Sequence, residues 1–241
     1  MKKILIANVG STSYKNTLFG ISESGECTEL FRSGIERVSD FESAIRESLE
    51  ALEKAGFSPD SVDAVAFKTV LGKDLSGLRE ADDKVLEALE AMSFVAPAHN
   101  PPYAAAIRAF KKVLPRARRI ALFETSFFQW VAPEWKRYAV PKSWASIGIC
   151  RNGFHGASHK YAAERAAELC GRPDAAESAK YLYQNNGRTK LETPFRLVNC
   201  HLGGSSSVCG ILDGAAVKHP QNGWLVTAPS VSPEHGYAGS S

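Results

Sequence analysis

Two histidines four positions apart, His155 and His159, stand in the stretch RNGFHGASHKYAAERAAEL, from Arg151 to Leu169. The first sits in a Gly153-Phe154-His155-Gly156 turn, the second inside what reads as a helix starting near Ser158. An imidazole both donates and accepts hydrogen bonds, so a histidine in such a turn can serve a reacting group or simply sit in water. Flanking glycines let a backbone approach a ligand closely. One helical turn on, His159 faces its own helix neighbours and reads as structural.

Two further stretches, NVGSTSYKNTLFG and HLGGSSSVCGILDG, share one plan: strand, Gly-Ser turn, strand. A turn of small residues after a buried strand presents backbone N–H groups, and such a concavity binds phosphate oxygens. Ser11, Thr12 and Ser13 add hydroxyl donors there, and Lys15 adds charge. The same residues also make an ordinary hairpin turn. Their recurrence strengthens the phosphate reading without removing the other. No GxxxxGK[ST], GxGxxG or GxSxG occurs, so P-loop, dinucleotide-fold and nucleophile-elbow readings fail.

The elements that must position these residues follow from periodicity. Residues 3–9 read as a buried strand, YKNTLFGI as an alternating half-buried one, and CTELFRSG as a third, giving an antiparallel meander. A helix follows, capped by Ser39 or Asp40, with Phe41, Ile45, Leu49 and Leu52 on one face and a stop near Gly56. SVDAVAFKTVL is a strand and LREADDKVLEALEAMSF a second helix. A third helix begins near Pro101 and Pro102, and RRIALFE is again a strand. After residue 150 come a helix over about 158–170, a polar stretch, and a strand FRLVNC leading into a hairpin. This alternation is α/β architecture.

Composition excludes several classes. The 241 residues are 44% hydrophobic and 23% charged with a net charge of +3, a globular balance with no nucleic-acid footprint. No apolar run reaches the roughly 18 residues of a membrane span. The basic start MKKILIANVG is too short in apolar residues for a signal peptide, so a cytoplasmic location is expected. Five scattered cysteines and no CxxC pair argue against a disulfide framework and against zinc.

Taken together, the motifs resemble the acetate kinase family, carboxylate kinases of the actin-like, sugar-kinase and Hsp70 ATPase superfamily. The stretch NVGSTSYKNTLF is similar to the family's opening, and APAHNPPYAAAI to its His-Asn-Pro-Pro block. LFETSFFQWVAPEWKRYAVP resembles the Phe-Asp-Thr-Ala-Phe-His-Gln segment, GFHGASH the Gly-Phe-His-Gly-Thr-Ser-His block, and NCHLGGSSS the Cys-His-Leu-Gly-Asn-Gly-Ser-Ser loop. The five blocks keep the family order. A sugar kinase is a weaker match, because PAHNPP and GFHGASH belong to the carboxylate branch.

The resemblance implies an actin-like (ribonuclease H-like) fold, a mixed sheet flanked by helices. It implies that ATP and Mg²⁺ act on a small carboxylate substrate to give an acyl phosphate. It places Asn8 at magnesium or the attacked phosphate, and Lys15 with Ser11, Thr12 and Ser13 at ATP. Lys68 stands at the arginine that clamps the carboxylate, Glu124 at the catalytic aspartate, and His155 at the transition-state histidine. His201, Gly203, Gly204 and Ser205 match the second phosphate loop. Phe128 stands where the family has a histidine, and Gly204 where it has an asparagine. A homodimer is implied for a complete chain, with no nucleic-acid or membrane partner.

The family's Gly-Thr-Arg segment, adenosine pocket and magnesium glutamate find no match here, and no arginine follows Arg196. The expected organisation is therefore an N-terminal domain over 1–147 and an incomplete second domain over 148–241, from a truncated or frameshifted frame. The alternative reading is a non-catalytic relative that at most binds nucleotide or a partner.

Overall fold

The computed structural model describes residues 1–138, 141, 143, 151–203 and 206–217. The chain divides into two compact units, Met1–Phe123 and Glu124–Ser241.

The first unit opens with β1 (Lys2–Val9), β2 (Ser13–Ile21) and β3 (Cys27–Glu36). In β1, Leu5, Ala7 and Val9 are buried while Ile6 and Asn8 are exposed, the period of two that a strand with one covered face requires. Helix α1 (Phe41–Lys54) starts where the Asp40 carboxylate accepts the N–H groups of Glu42 and Ser43, and it buries Ile45, Leu49 and Leu52. There follow β4 (Ala64–Thr69), β5 (Leu78–Glu80), α2 (Asp83–Ala91), α3 (Asn100–Val113) and β6 (Arg118–Phe123). The sheet order is β3-β2-β1-β4-β6-β5. β1, β4 and β6 run parallel, and β2, β3 and β5 pair antiparallel with their neighbours. This is a mixed sheet, and its three helices bury one face: Leu5, Val65, Phe67 and Ala121 share a core with Ile45, Leu89, Ile107 and Phe110.

Two details differ from the sequence pattern. The helix expected from Leu78 begins at Asp83, because the Asp82 carboxylate accepts the N–H of Val85 and caps it there. Leu78–Glu80 is instead a short strand on β6. Asn100, at the start of α3, is fully buried and donates from Nδ2 to the carbonyls of Leu71 and Leu89, each at 2.9 Å. In the AHNPP block this asparagine ties helix to loop.

The second unit begins with 3-10 turns at Ser126–Phe128 and Pro133–Trp135. It continues with α4 (Gly156–Leu169), α5 (Pro173–Lys180), β7 (Arg196–Leu202), β8 (Ser206–Leu212) and β9 (Ala215–Ala216). The three strands form one antiparallel sheet in the order β7-β8-β9. The units part at Phe123, before the domain boundary expected at 147, because Phe127 and Phe128 pack in one cluster with Ala163, Leu182 and Ile211. Helix α5 lies in the stretch read as polar. It has Pro173 in its first turn and buries Ala175, Ala176 and Ala179. In the following loop Leu182 is fully buried, and the ring of Tyr183 stacks on Trp130 at 5.9 Å between centroids. Among the described residues no helix is long and apolar enough to cross a membrane.

Candidate functional site

In the first unit the expected residues gather at one end of the sheet. Asn8 lies directly opposite Lys15 in the β1–β2 pair. The last β1–β4 pair is Ala7 with Phe67, so Asn8 and Lys68 are the next residues on adjacent strands. Residues opposite one another share a face, and Asn8, Lys15 and Lys68 are all exposed. That face is the one α1–α3 leave uncovered. The β1–β2 turn is closed by the Gly10 N–H donating to the Ser13 carbonyl at 2.8 Å, with Ser11 and Thr12 exposed at its tip. Lys15 Nζ lies 3.0 Å from Glu36, and both side chains are largely solvated.

In the second unit the geometry is denser. His155 adopts the left-handed conformation, φ 59°, as the residue preceding α4. Its N–H donates to Glu124 Oε2 at 2.8 Å, and the N–H of Gly156 donates to the Glu124 carbonyl at 3.1 Å. Glu124 thus occupies two of the donors that a helix start leaves unsatisfied, with its negative charge at the positive end of the helix. A Cβ on Gly156 would strike the Glu124 carbonyl, and one on Gly153 would strike the Phe128 ring. The close approach that these glycines permit is therefore to the protein's own 124–128 segment rather than to a ligand.

The imidazoles of His155 and His201 stack, with centroids 4.0 Å apart and planes 18° from parallel. His155 Nδ1 is 2.8 Å from Ser207 Oγ, and His201 Nδ1 is 2.9 Å from Ser158 Oγ. His159 is fully buried beneath them, its Nε2 2.8 Å from the same Ser207 Oγ and its Nδ1 2.7 Å from Asn199 Nδ2. Burial, reinforced by the neighbouring His155 and His201, lowers its pKa to about 4, so it is neutral at ordinary pH. Phe128, where the resemblance expects a histidine, packs edge-on to the His159 ring at 6.0 Å.

Glu124, His155 and His201 are thus brought together, and Gly203 follows β7 exposed at the hairpin tip. Gly204 and Ser205 lie outside the described residues. Asn199, Ser207 and Ser158 were not singled out from the sequence. Two spacings carry them. On β7 the residues 197, 199 and 201 are half-buried between exposed neighbours, so Asn199 and His201 share a face, and Ser207 pairs with His201 across the hairpin. On α4, Ser158 and His159 follow His155 by three and four positions, the interval that brings side chains onto one face.

The chain is similar to known proteins over most of its length. The family model described as the Acetokinase family matches residues 32–221. Acetate kinase 2 of Listeria monocytogenes serotype 4b (strain F2365) is 34% identical over 207 residues, which is 84% of this chain and 47% of that protein. The acetate kinase of Bacillus subtilis (strain 168) is 30% identical over 243 residues, 90% of this chain and 56% of the relative. The crystal structure of Porphyromonas gingivalis acetate kinase superposes with a TM-score of 0.71 at 26% identity, over 90% of this chain and 57% of that one. A propionate kinase from Francisella tularensis shares the fold, with a TM-score of 0.70 at 22% identity, over 90% of this chain and 56% of that one. The chain spans about half the length of the curated relatives it matches. With its motif blocks in family order and the match running through both units, the chain belongs to the acetokinase family.

Proposed function

We propose that this chain carries phosphoryl-transfer machinery of the acetate kinase type. In that reaction a carboxylate oxygen attacks the γ-phosphorus of MgATP, the bond to ADP breaks, and an acyl phosphate leaves. The observation that most supports the reading is the His155–His201 stack, fixed at a helix start by Glu124. Phosphoryl transfer spreads negative charge over three equatorial oxygens, and catalysis is chiefly positioning and electrostatics. Two imidazoles side by side, each held through Nδ1 to a serine, are suited to donate to such oxygens.

The other roles belong to the same proposal. Ser11, Thr12, Ser13 and Lys15 bind the nucleotide, as do Gly203, Gly204 and Ser205. Lys68 draws in the carboxylate as a point charge rather than through a guanidinium fork. Among the described residues no three His, Cys, Asp or Glu side chains gather as a metal site. Magnesium would arrive with the nucleotide as MgATP, and Asn8 would hold that ion or the attacked phosphate; this ion commonly keeps waters and phosphate oxygens around it. A short carboxylate is the acceptor, by analogy with relatives named acetate kinase.

A second reading, a non-catalytic relative, draws on Glu124, whose carboxylate accepts the His155 N–H as a helix cap would. Hydroxamate trapping of acyl phosphate, with MgATP and a panel of short carboxylates, separates the two. Trapped product that falls about 10²–10³-fold in His155→Ala is expected, the loss typical of one transition-state donor. No product and no MgATP binding by calorimetry would reject the kinase reading.

A further inference from the structure

We infer that Asn199, His159 and Ser207 are positioning residues that fix the His155 ring in its Nε2–H tautomer through one hydrogen-bond chain. The chain runs Asn199 Nδ2 to His159 Nδ1 at 2.7 Å, His159 Nε2 to Ser207 Oγ at 2.8 Å, and Ser207 Oγ to His155 Nδ1 at 2.8 Å. Its direction follows from the donor inventory. An amide nitrogen only donates, so His159 Nδ1 is the acceptor and the proton of that neutral ring is on Nε2. His159 Nε2–H then donates to Ser207 Oγ. A hydroxyl has one proton, and that of Ser207 goes to the other ring nitrogen within reach, His155 Nδ1. The proton of a neutral His155 is left on Nε2, as a donor.

Burial makes this chain stringent. His159 is 0% exposed and Ser207 3%, and a buried polar group without its partner costs about 1–3 kcal/mol. Turning any one link round would set two donors or two acceptors face to face. The whole chain must reverse together, Asn199 amide included. The low pKa of His159 fits the same role, since a neutral ring passes the polarity on and a doubly protonated one would break the chain.

The inference rests on the phosphoryl-transfer reading for what the Nε2–H is used for, but not for its existence. Long-range ¹H–¹⁵N spectra of the ¹⁵N-histidine-labelled chain, assigned with single His→Gln variants, distinguish a protonated from a bare ring nitrogen. His155 and His159 are both expected as Nε2–H. In Ser207→Ala, His159 keeps its tautomer while His155 relaxes to a mixture. In Asn199→Asp, a carboxylate that can only accept, both rings switch to Nδ1–H. A wild-type His155 protonated on Nδ1, or a His155 indifferent to Ser207→Ala, overturns the inference even if Asn199→Asp fails to fold. Titration with MgATP separates the two levels. The predicted tautomers without any shift at His155 Nε2 would leave the positioning chain standing and sink the phosphoryl-transfer reading.

Discussion

At the scale of single residues, His155 and His159 show what a sequence reveals and what it does not. Their different settings were legible because turn and helix are local: four positions separate a left-handed turn from a buried helical face. The partners that give them meaning, Asn199 and Ser207, were not, because the hairpin that carries them lies some forty residues downstream. The buried ring has a measurable consequence. The folded-state pKa of His159 is about 4 against an ordinary 6.5. Between those values the unfolded chain binds a proton that the folded one does not, so stability rises with pH there. The contribution is fully present above about pH 6.5 and is lost as pH falls toward 4. Its size should be about 2 kcal/mol, less than the full shift would give at 1.36 kcal/mol per unit, because half-buried His155 and His201 admit solvent screening nearby. Met1–Phe123 contains no tryptophan, while Trp130 and Trp135 lie in the second unit, so urea midpoints followed by tryptophan fluorescence do not read the first unit. The midpoint should drop between pH 7 and pH 4.5, and the drop should shrink in His159→Gln. An unchanged pH slope in that variant would show that another group titrates.

At the scale of elements, strands and amphipathic helices with large apolar residues were readable, and short or alanine-lined ones were not. Helix α5 buries only small side chains, Ala175, Ala176, Ser178 and Ala179, which leave no contrast between an apolar and a polar face. β5 is three residues long and exposed, so its Leu78 blends into the pattern of α2. The motif glycines were legible as sites of close approach, but not what approaches. That difference can be tested with two alanines. Gly156→Ala drives a Cβ into the Glu124 carbonyl; overpacking of this kind costs about 1–3 kcal/mol. Gly171, just past the C-terminus of the same helix, has φ +66° and open space around its missing Cβ, so Gly171→Ala bears only the left-handed penalty of about 1–2 kcal/mol. Both should lower the fluorescence-detected midpoint. Gly156→Ala alone should also shift the ring resonances of His155 and His201, because the 124–128 segment that holds the His155 N–H must move. Equal ring shifts in both variants would break the link between Glu124 and the histidine pair.

At the scale of the whole molecule, the mixed sheet with its helical cover was expected, while the place where one compact unit gives way to the next was not. The sequence pattern changes near residue 147, but packing assigns the earlier 124–138 segment to the later unit through Phe127, Phe128 and Val131. Among the described residues, the core built on Leu5, Phe67, Ile107 and Phe110 lies wholly within Met1–Phe123, and the clusters around Phe127 and around Ala167 lie wholly beyond it. Units with separate cores can fold and melt separately. A fragment of residues 1–123 should therefore show a cooperative thermal transition by far-ultraviolet circular dichroism and dispersed amide resonances. In the full chain, the fluorescence transition of the second unit should not coincide with the dichroism transition, to which the first unit's six strands and three helices contribute most. The parallel β1–β4–β6 centre, sealed by α1 and α3 on one side, supplies the cohesion for the fragment; Leu5→Ala in that centre should destabilise it by about 2–5 kcal/mol and leave the tryptophan transition of the full chain in place. A fragment with no cooperative transition, or a Leu5→Ala change that moves both transitions of the full chain together, would show that the two cores fold as one.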